Sequence, residues 1–102
     1  MARFDVYHFN DNTVPFVVDV QADLLADLKT CVVVPLALES DVKNEILHRL
    51  KPVIQIDSKR FIFMSTDIGT ITRDSLGDYV TNIEEPYRPA ITEALDFLFQ
   101  GF

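Results

Sequence analysis

The sequence has 102 residues, of which 48% are hydrophobic, 11% aromatic and 25% charged, a composition typical of a folded globular protein. At this length we expect one small domain, residues 1–102. The formal net charge of -7 argues against a protein that grips nucleic-acid phosphates, because such contacts need a basic surface. Because the chain is short and rich in aromatic residues, we expect it to have more apolar surface than one core can bury. Association with another chain would cover the excess.

The residues that report on the cellular compartment favour a reducing one. Cys31 has no cysteine to pair with inside the chain. The first residues lack the apolar stretch of a signal peptide, and the apolar run 31–38 is too short to span a membrane. We therefore expect a soluble cytoplasmic protein that does not bind membranes.

The first half of the chain is predicted to be rich in strands. Alternation over 4–8 predicts one strand, 10–13 a polar turn, and 16–20 a second strand that pairs with the first. Residues 21–29 are compatible with either a helix or a loop. The β-branched run 30–38 predicts a buried strand that bends, or lies at a sheet edge, at Pro35.

The second half is predicted to end in a helix. Residues 39–50 predict a loop with one helical turn, 52–56 and 60–65 two strands, and 67–82 a short strand within loops. Acidic residues and Pro86 favour a helix start near Glu84, with Pro89 assigned to the first turn. The apolar arc of this helix covers roughly 200°, about twice what packing on one core requires. Either the helix fills a groove of its own domain, or it binds a second partner.

No group of residues predicts catalysis or metal binding. His8 and His48 lie in unrelated segments, and Cys31 begins an apolar run where a buried thiol is favoured. The aspartates at 19, 23 and 27 lack the glycine and spacing of a calcium loop. We expect no enzymatic activity, no metal and no cofactor. Several short strands followed by one helix predict a mainly β (α+β) barrel or sandwich.

Short blocks along the chain follow the order of one known family. The most specific block is V-D-V-Q-A-D-L-L at 18–25. The others are F-D-V-Y at 4–7, V-V-P-L at 33–36, P-V-I-Q-I at 52–56, M-S-T-D-I at 64–68, A-L-D-F-L-F at 94–99 and the Gly–hydrophobic end at 101–102. With these blocks the sequence resembles, over essentially its full length, the CcdB toxins of bacterial toxin–antitoxin modules.

The resemblance implies a fold, a target and an inhibitor. The fold is an SH3-like barrel with a small extra sheet and a C-terminal helix, assembled as a symmetric homodimer. The target is the A subunit of DNA gyrase, which the toxin traps with its DNA cleaved, acting by protein–protein contact without binding nucleic acid directly. The inhibitor is a partly disordered CcdA-like antitoxin.

The resemblance also assigns residues to each contact. The gyrase surface comprises Leu24, Leu25, Asp96, Phe99, Gln100, Gly101 and Phe102. The antitoxin surface comprises Asn10, Asp11, Asn12, Asp41, Lys43 and Glu45. The dimer interface comprises Val20, Gln21, Ile68, Ile71, Leu98 and Phe102. For Leu24 and Leu25, packing in the core is the alternative to gyrase contact.

Position 100 departs from the family pattern, because Gln100 stands where poisoning members carry a tryptophan that stacks on a gyrase arginine. Gln supplies no ring face for such a cation–π contact. This departure favours one alternative, a CcdB-like dimer that binds antitoxin without poisoning gyrase. A MazF-like endoribonuclease toxin, which would share the same small barrel, is a separate alternative. The dispersed basic residues and the acidic balance count against the endoribonuclease.

Overall fold

The computed structural model describes residues 2–11, 14–42 and 47–101, and within them the chain forms one curled antiparallel sheet with a C-terminal helix. The strands and helices are β1 Asp5–Asp11, β2 Val14–Asp19, β3 Thr30–Leu38, α1 Glu39–Val42, β4 Val53–Ile56, β5 Lys59–Phe63, β6 Gly69–Thr72, β7 Leu76–Asn82 and α2 Glu84–Gln100. The strand order is β4-β5-β3-β2-β1-β7, and β6 pairs with β3 off this path. The prediction of a mainly β fold with a terminal helix is confirmed.

Strand β3 has one partner along one edge and two along the other. It pairs with β2 on the first edge, with β6 from Thr30↔Thr72 to Val33↔Gly69, and with β5 from Leu36↔Phe63 to Leu38↔Phe61. Its residues alternate between the two faces of the sheet, because side chains in a strand have a period of two.

Pro35 lies in the gap between these last two partners, so of the two predicted alternatives the sheet edge is wrong and the bend stays a prediction. Its carbonyl oxygen accepts a hydrogen bond from the Met64 N–H at 3.0 Å. The N–H and C=O of one strand residue point to the same side, so the N–H that proline lacks faces the gap and not β2. An interior strand therefore tolerates proline here.

The main core lies between α2 and one face of the sheet. From α2, Ile91 and Ala94 are fully buried in it, against Leu36 of β3 and Phe63 of β5 in the same cluster. The opposite face carries a second, smaller cluster built on Tyr7, Val17, Cys31 and Val33. Within the described residues, no helix combines the length and the apolarity needed to cross a membrane.

Two further details of the sequence prediction are corrected. Residues 67–82 hold two strands, β6 and β7, separated by a 3-10 turn at Arg73–Ser75. The edge strand β7 has no fully buried residue, so it carries no apolar alternation by which the sequence would reveal it. Pro89 is the sixth residue of α2 and lies beyond the first turn to which it was assigned.

The close approach of β7 to β1 at Gly77 leads to the first prediction. A Cβ atom at Gly77 would lie 2.8 Å from the carbonyl oxygen of His8, a distance that forces the backbone to shift. We expect Gly77→Ala to lower the free energy of unfolding by about 1–3 kcal/mol in urea denaturation. Gly69→Ala is the matched control, because the nearest atom to its new Cβ is 3.9 Å away. Equal stability of the two variants would contradict the close packing.

Candidate functional site

The segment between β2 and β3 presents exposed leucines. We call residues 22–29 the leucine loop; it contains a 3-10 turn at Asp23–Leu25. The exposed fractions are 93% for Leu24, 44% for Leu25 and 48% for Leu28. The alternative that Leu24 and Leu25 pack in the core is therefore wrong. Leu28 was missed by the sequence reasoning, although its position on the same polar-flanked segment was the available signal.

The backbone of the leucine loop is held by hydrogen bonds within the loop. Inside it, Leu25 N–H donates to Ala22, Ala26 N–H to Asp23 and Leu28 N–H to Leu25, at 2.9, 3.0 and 3.1 Å. The loop is also tied to the start of the chain, because the Asp23 carboxylate accepts the Arg3 N–H at 2.6 Å. The exposed leucines thus sit on an ordered backbone.

Gln21, which immediately precedes the leucine loop, connects the loop to strand β3. Its side-chain Nε2 donates to the carbonyl oxygens of Leu25 at 3.1 Å and Thr30 at 3.3 Å. Its Oε1 accepts the Val32 N–H at 3.2 Å. Gln21 and Val20, both predicted at the dimer interface, are buried within the single chain. The amide of Gln21 is therefore engaged inside its own chain.

The end of α2 presents the second exposed group. Phe99 is 70% exposed, and Asp96 and Gln100 are also exposed. Gly101 ends the helix in the left-handed conformation, with φ of 81°, and its N–H donates to the Phe97 carbonyl at 2.9 Å. Glycine suits this cap because it has no Cβ to strain. Phe102 lies outside the described residues.

Arg49, in the turn before β4, contacts two side chains of α2. The Arg49 Nε lies 3.0 Å from Glu93 Oε1, and its guanidinium carbon lies 4.8 Å from the centroid of the Phe97 ring. Both charged side chains of the pair are more than half exposed, so the ion pair contributes little energy by itself. Together with the ring contact it orients the side of α2 next to the exposed tip.

The two exposed groups do not pack on each other. The 3-10 turn of the leucine loop and α2 form no extensive contact, whereas α2 packs against the 3-10 turn at Ser65–Asp67. The described residues predicted for the gyrase surface therefore lie on two segments, the leucine loop and the end of α2.

The remaining predicted contact residues are distributed over the chain. Ile68 packs against the main core, Ile71 against the second cluster, and Leu98 is partly exposed. Of the antitoxin residues, Asp41 is exposed on α1, and Asn10 and Asp11 belong to β1. Asn12, Lys43 and Glu45 lie outside the described residues. These contacts stay predictions.

Within the described residues, the Cys31 thiol is buried and no metal-ligating side chains are grouped together. Burial, followed by the negative charge of Asp19, raises the pKa of the Cys31 thiol to about 12, so the thiolate needed for nucleophilic attack is scarce. Over residues 2–11, 14–42 and 47–101, no three His, Cys, Asp or Glu side chains are grouped so that they could hold a metal ion. His8 is exposed, with its ring centroid 5.1 Å from that of Phe16.

Comparison with known families identifies the family of the chain. A sequence model of the family described as CcdB protein matches residues 3–101, nearly the whole chain. The chain belongs to the CcdB family. Membership supports the coarse assignment made from the sequence, the toxin of a toxin–antitoxin module. Both exposed patches lie inside the matched range.

Asp19, at the base of the leucine loop, is a buried carboxylate with an altered pKa. It is 3% exposed, and its Oδ1 accepts the Gln21 N–H at 2.9 Å. Burial raises the pKa of Asp19, and the hydrogen bond from Gln21 partly opposes that change. A carboxyl with a higher pKa in the folded chain favours folding below its unfolded pKa. That contribution is lost as the pH rises through the folded pKa.

The direction of this dependence of stability on pH leads to the second prediction. Asp19→Asn removes the buried charge and keeps an oxygen acceptor for Gln21, so we expect it to be more stable than wild type near pH 7. The difference should shrink below about pH 4, near the ordinary pKa of aspartate. Chemical denaturation across this pH range measures it, with Asp78→Asn, at an exposed position, controlling for the change in net charge. A variant less stable than wild type near pH 7 would contradict the cost of burying this charge.

Proposed function

We propose that this CcdB-family protein binds the A subunit of DNA gyrase, traps the enzyme with its DNA cleaved, and is neutralised by a CcdA-like antitoxin. The observation that carries the proposal is the exposure of apolar side chains on ordered backbone. Leu24 is 93% exposed and Phe99 is 70% exposed, each on a segment held by backbone hydrogen bonds. A small number of well-packed anchor residues carries most of the free energy of protein–protein binding, and exposed apolar side chains on a fixed backbone are candidates for such anchors.

The proposed action is non-covalent. Gyrase itself breaks and rejoins the DNA strands, and the toxin contributes binding energy that favours the complex with cleaved DNA over the complex with rejoined DNA. A ligand shifts such an equilibrium only by its difference in affinity for the two states. No general base, nucleophile or metal is therefore required of this chain.

A symmetric homodimer would present both patches twice. The apolar arc of α2 supports this assembly, because only Ile91 and Ala94 of the helix are buried in the single chain. In a twofold dimer the same patch of each chain meets its counterpart. Among the predicted interface residues that the structure describes, Ile68, Ile71 and Leu98 keep part of their surface accessible and are free to contribute to such an interface.

The antitoxin is expected to meet the acidic side of the chain. Asp41 lies exposed on α1, next to Glu39, whose carboxylate is paired with Arg60 at 2.9 and 3.0 Å. At a formal net charge of -7, the toxin would repel a strongly acidic binding segment. The proposed antitoxin segment is therefore basic or rich in apolar residues.

Gln100 favours a second candidate, a family member that binds its antitoxin without poisoning gyrase. This exposed residue ends α2 beside the glycine cap and offers an amide where an aromatic ring would stack. Losing a cation–π contact costs roughly 0.5–2 kcal/mol. That loss reduces affinity by roughly twofold to thirtyfold.

The third prediction tests gyrase poisoning directly. Purified protein is incubated with gyrase, ATP and supercoiled plasmid, and linear DNA is scored after detergent and protease. We expect linear DNA at micromolar protein. We also expect Leu24→Ser to require about tenfold more protein, because the exposed anchor is lost. Leu47→Ser is the matched control, since Leu47 is 63% exposed and lies outside both patches.

The negative outcome separates the candidates. Absence of linear DNA, with binding of a CcdA-like antitoxin retained, would replace poisoning by the second candidate. Absence of linear DNA with cleavage of RNA in a parallel reaction would replace it by the endoribonuclease.

The fourth prediction concerns position 100. Gln100→Trp should lower the protein concentration that gives half-maximal cleavage by roughly twofold to thirtyfold, because a ring face is restored. Gln100→Leu adds apolar surface without an aromatic face and is the control. If both variants change the dose response equally, stacking is not the reason.

A further inference from the structure

Arg73 continues the pairing of β6 with β3 into the leucine loop. The pairing ends at Thr30↔Thr72, and one residue further the Arg73 N–H donates to the Lys29 carbonyl at 2.9 Å. The Arg73 guanidinium also donates to carbonyl oxygens of the leucine loop. Its Nε donates to the Leu28 carbonyl at 2.6 Å and its Nη2 to the Leu25 carbonyl at 3.4 Å.

The Leu25 carbonyl is therefore approached from two sides. Gln21 Nε2 donates to it at 3.1 Å from the sheet, and Arg73 donates from the neighbouring turn. Leu28 is tied to the same point, because its own N–H donates to that carbonyl at 3.1 Å. The backbone positions of Leu25 and Leu28 are thus fixed relative to each other, because the Leu28 N–H, Gln21 and Arg73 all donate to the Leu25 carbonyl.

These contacts hold the backbone and leave the side chains accessible. Leu28 is 48% exposed and Leu25 is 44% exposed, so both keep apolar surface for a partner. A loop fixed before association pays less conformational entropy when it binds. The carbonyl oxygens of Leu25 and Leu28 accept hydrogen bonds from Arg73. The apolar side chains of these two leucines are therefore the groups available to contact a partner.

We infer that Arg73 is a positioning residue for the leucine loop, and that Leu28 is a third contact residue of the gyrase-binding surface, beside Leu24 and Leu25. The partner in this inference rests on the proposed function. Leu28 is continuous with the proposed surface through its hydrogen bond to Leu25. Asp23, Asp27 and Asp74 are exposed around the patch and outnumber the exposed Lys29 beside them, which fits a partner face that is apolar at its centre and basic at its rim.

The first part of the test needs no gyrase. In Arg73→Ala, we expect amide hydrogen exchange at Ala26 and Leu28 to accelerate about tenfold or more, because the outer support of the loop is lost. Exchange at Val34, in the middle of β3, should stay as in wild type. Arg73→Lys keeps the charge without the planar fork and should restore only part of the protection. Arg60→Ala, which removes an arginine paired with Glu39, is the control.

The second part measures binding to the gyrase A subunit. We expect Leu28→Ser to weaken binding about fivefold to tenfold, and Arg73→Ala about tenfold. Leu47→Ser and Arg60→Ala should bind as wild type does. A mutant cycle then separates positioning from contact: with Leu24, Leu25 and Leu28 all changed to serine, Arg73→Ala should have little further effect. An undiminished effect would mean that Arg73 touches gyrase directly.

The outcomes distinguish the inference from the proposed function. If wild type binds gyrase and Leu28→Ser binds equally well, Leu28 is not a contact residue, although gyrase binding stands. If exchange in the loop is unchanged in Arg73→Ala, the positioning role is overturned. If wild type does not bind gyrase while Arg73→Ala loosens the loop, the proposed function and the partner fall, and the positioning role stands. If Leu28→Ser weakens antitoxin binding alone, the partner assignment is wrong.

Discussion

The pairing of β3 with two strands along one edge is the constraint on which the rest of the structure depends. Because β6 pairs with the first part of that edge and β5 with the second, both strands join one curled sheet that carries an apolar cluster on each face. The same register sets Arg73 opposite Lys29, at the mouth of the leucine loop. Pro35 fits at the change of partner because no ladder hydrogen bond is required of its nitrogen there. The surface features are thus consequences of how one buried strand is paired.

Exposed leucines have an energetic meaning in a chain of this size. Full burial of a leucine side chain is worth roughly 1.5–3 kcal/mol. The net stability of a small domain is only about 5–15 kcal/mol. The loop nevertheless keeps Leu24 almost fully exposed, while Gln21 and Arg73 hold the backbone of the residues that follow it. The stabilisation that the folded chain forgoes is available when a partner covers these side chains. This is the physical link between the fold and a function by contact.

The sequence predicted the elements whose own residues decide their structure. The β-branched run of β3 and the apolar spacing of α2 are local signals, and both elements formed where expected. Within 67–82 one short strand was predicted and two form. Strand β7 lies at the sheet edge and is held by pairing with β1, which leaves no buried alternation to detect.

The candidate site shows the same division between local and tertiary information. Family blocks pointed to Leu24 and Leu25, but their exposure became known only from the structure. The bond from Arg73 to Leu28 joins residues 45 positions apart, and it depends on a register that local sequence patterns do not specify. Such contacts are fixed by tertiary pairing, which explains why they escaped sequence reasoning.

The two patches of the proposed surface differ in how much binding energy each can supply. At the end of α2, Gln100 lacks an aromatic face, a deficit of roughly 0.5–2 kcal/mol relative to a stacked ring. At the leucine loop, Leu28 adds a half-exposed aliphatic side chain, whose burial is worth about 1 kcal/mol on the same scale of apolar area. The two quantities are of the same order and opposite sign. In the proposed complex, the helix tip therefore contributes less binding free energy and the leucine loop contributes more. The rigidity that Arg73 gives to the loop then matters more than it would in a protein with a tryptophan at position 100.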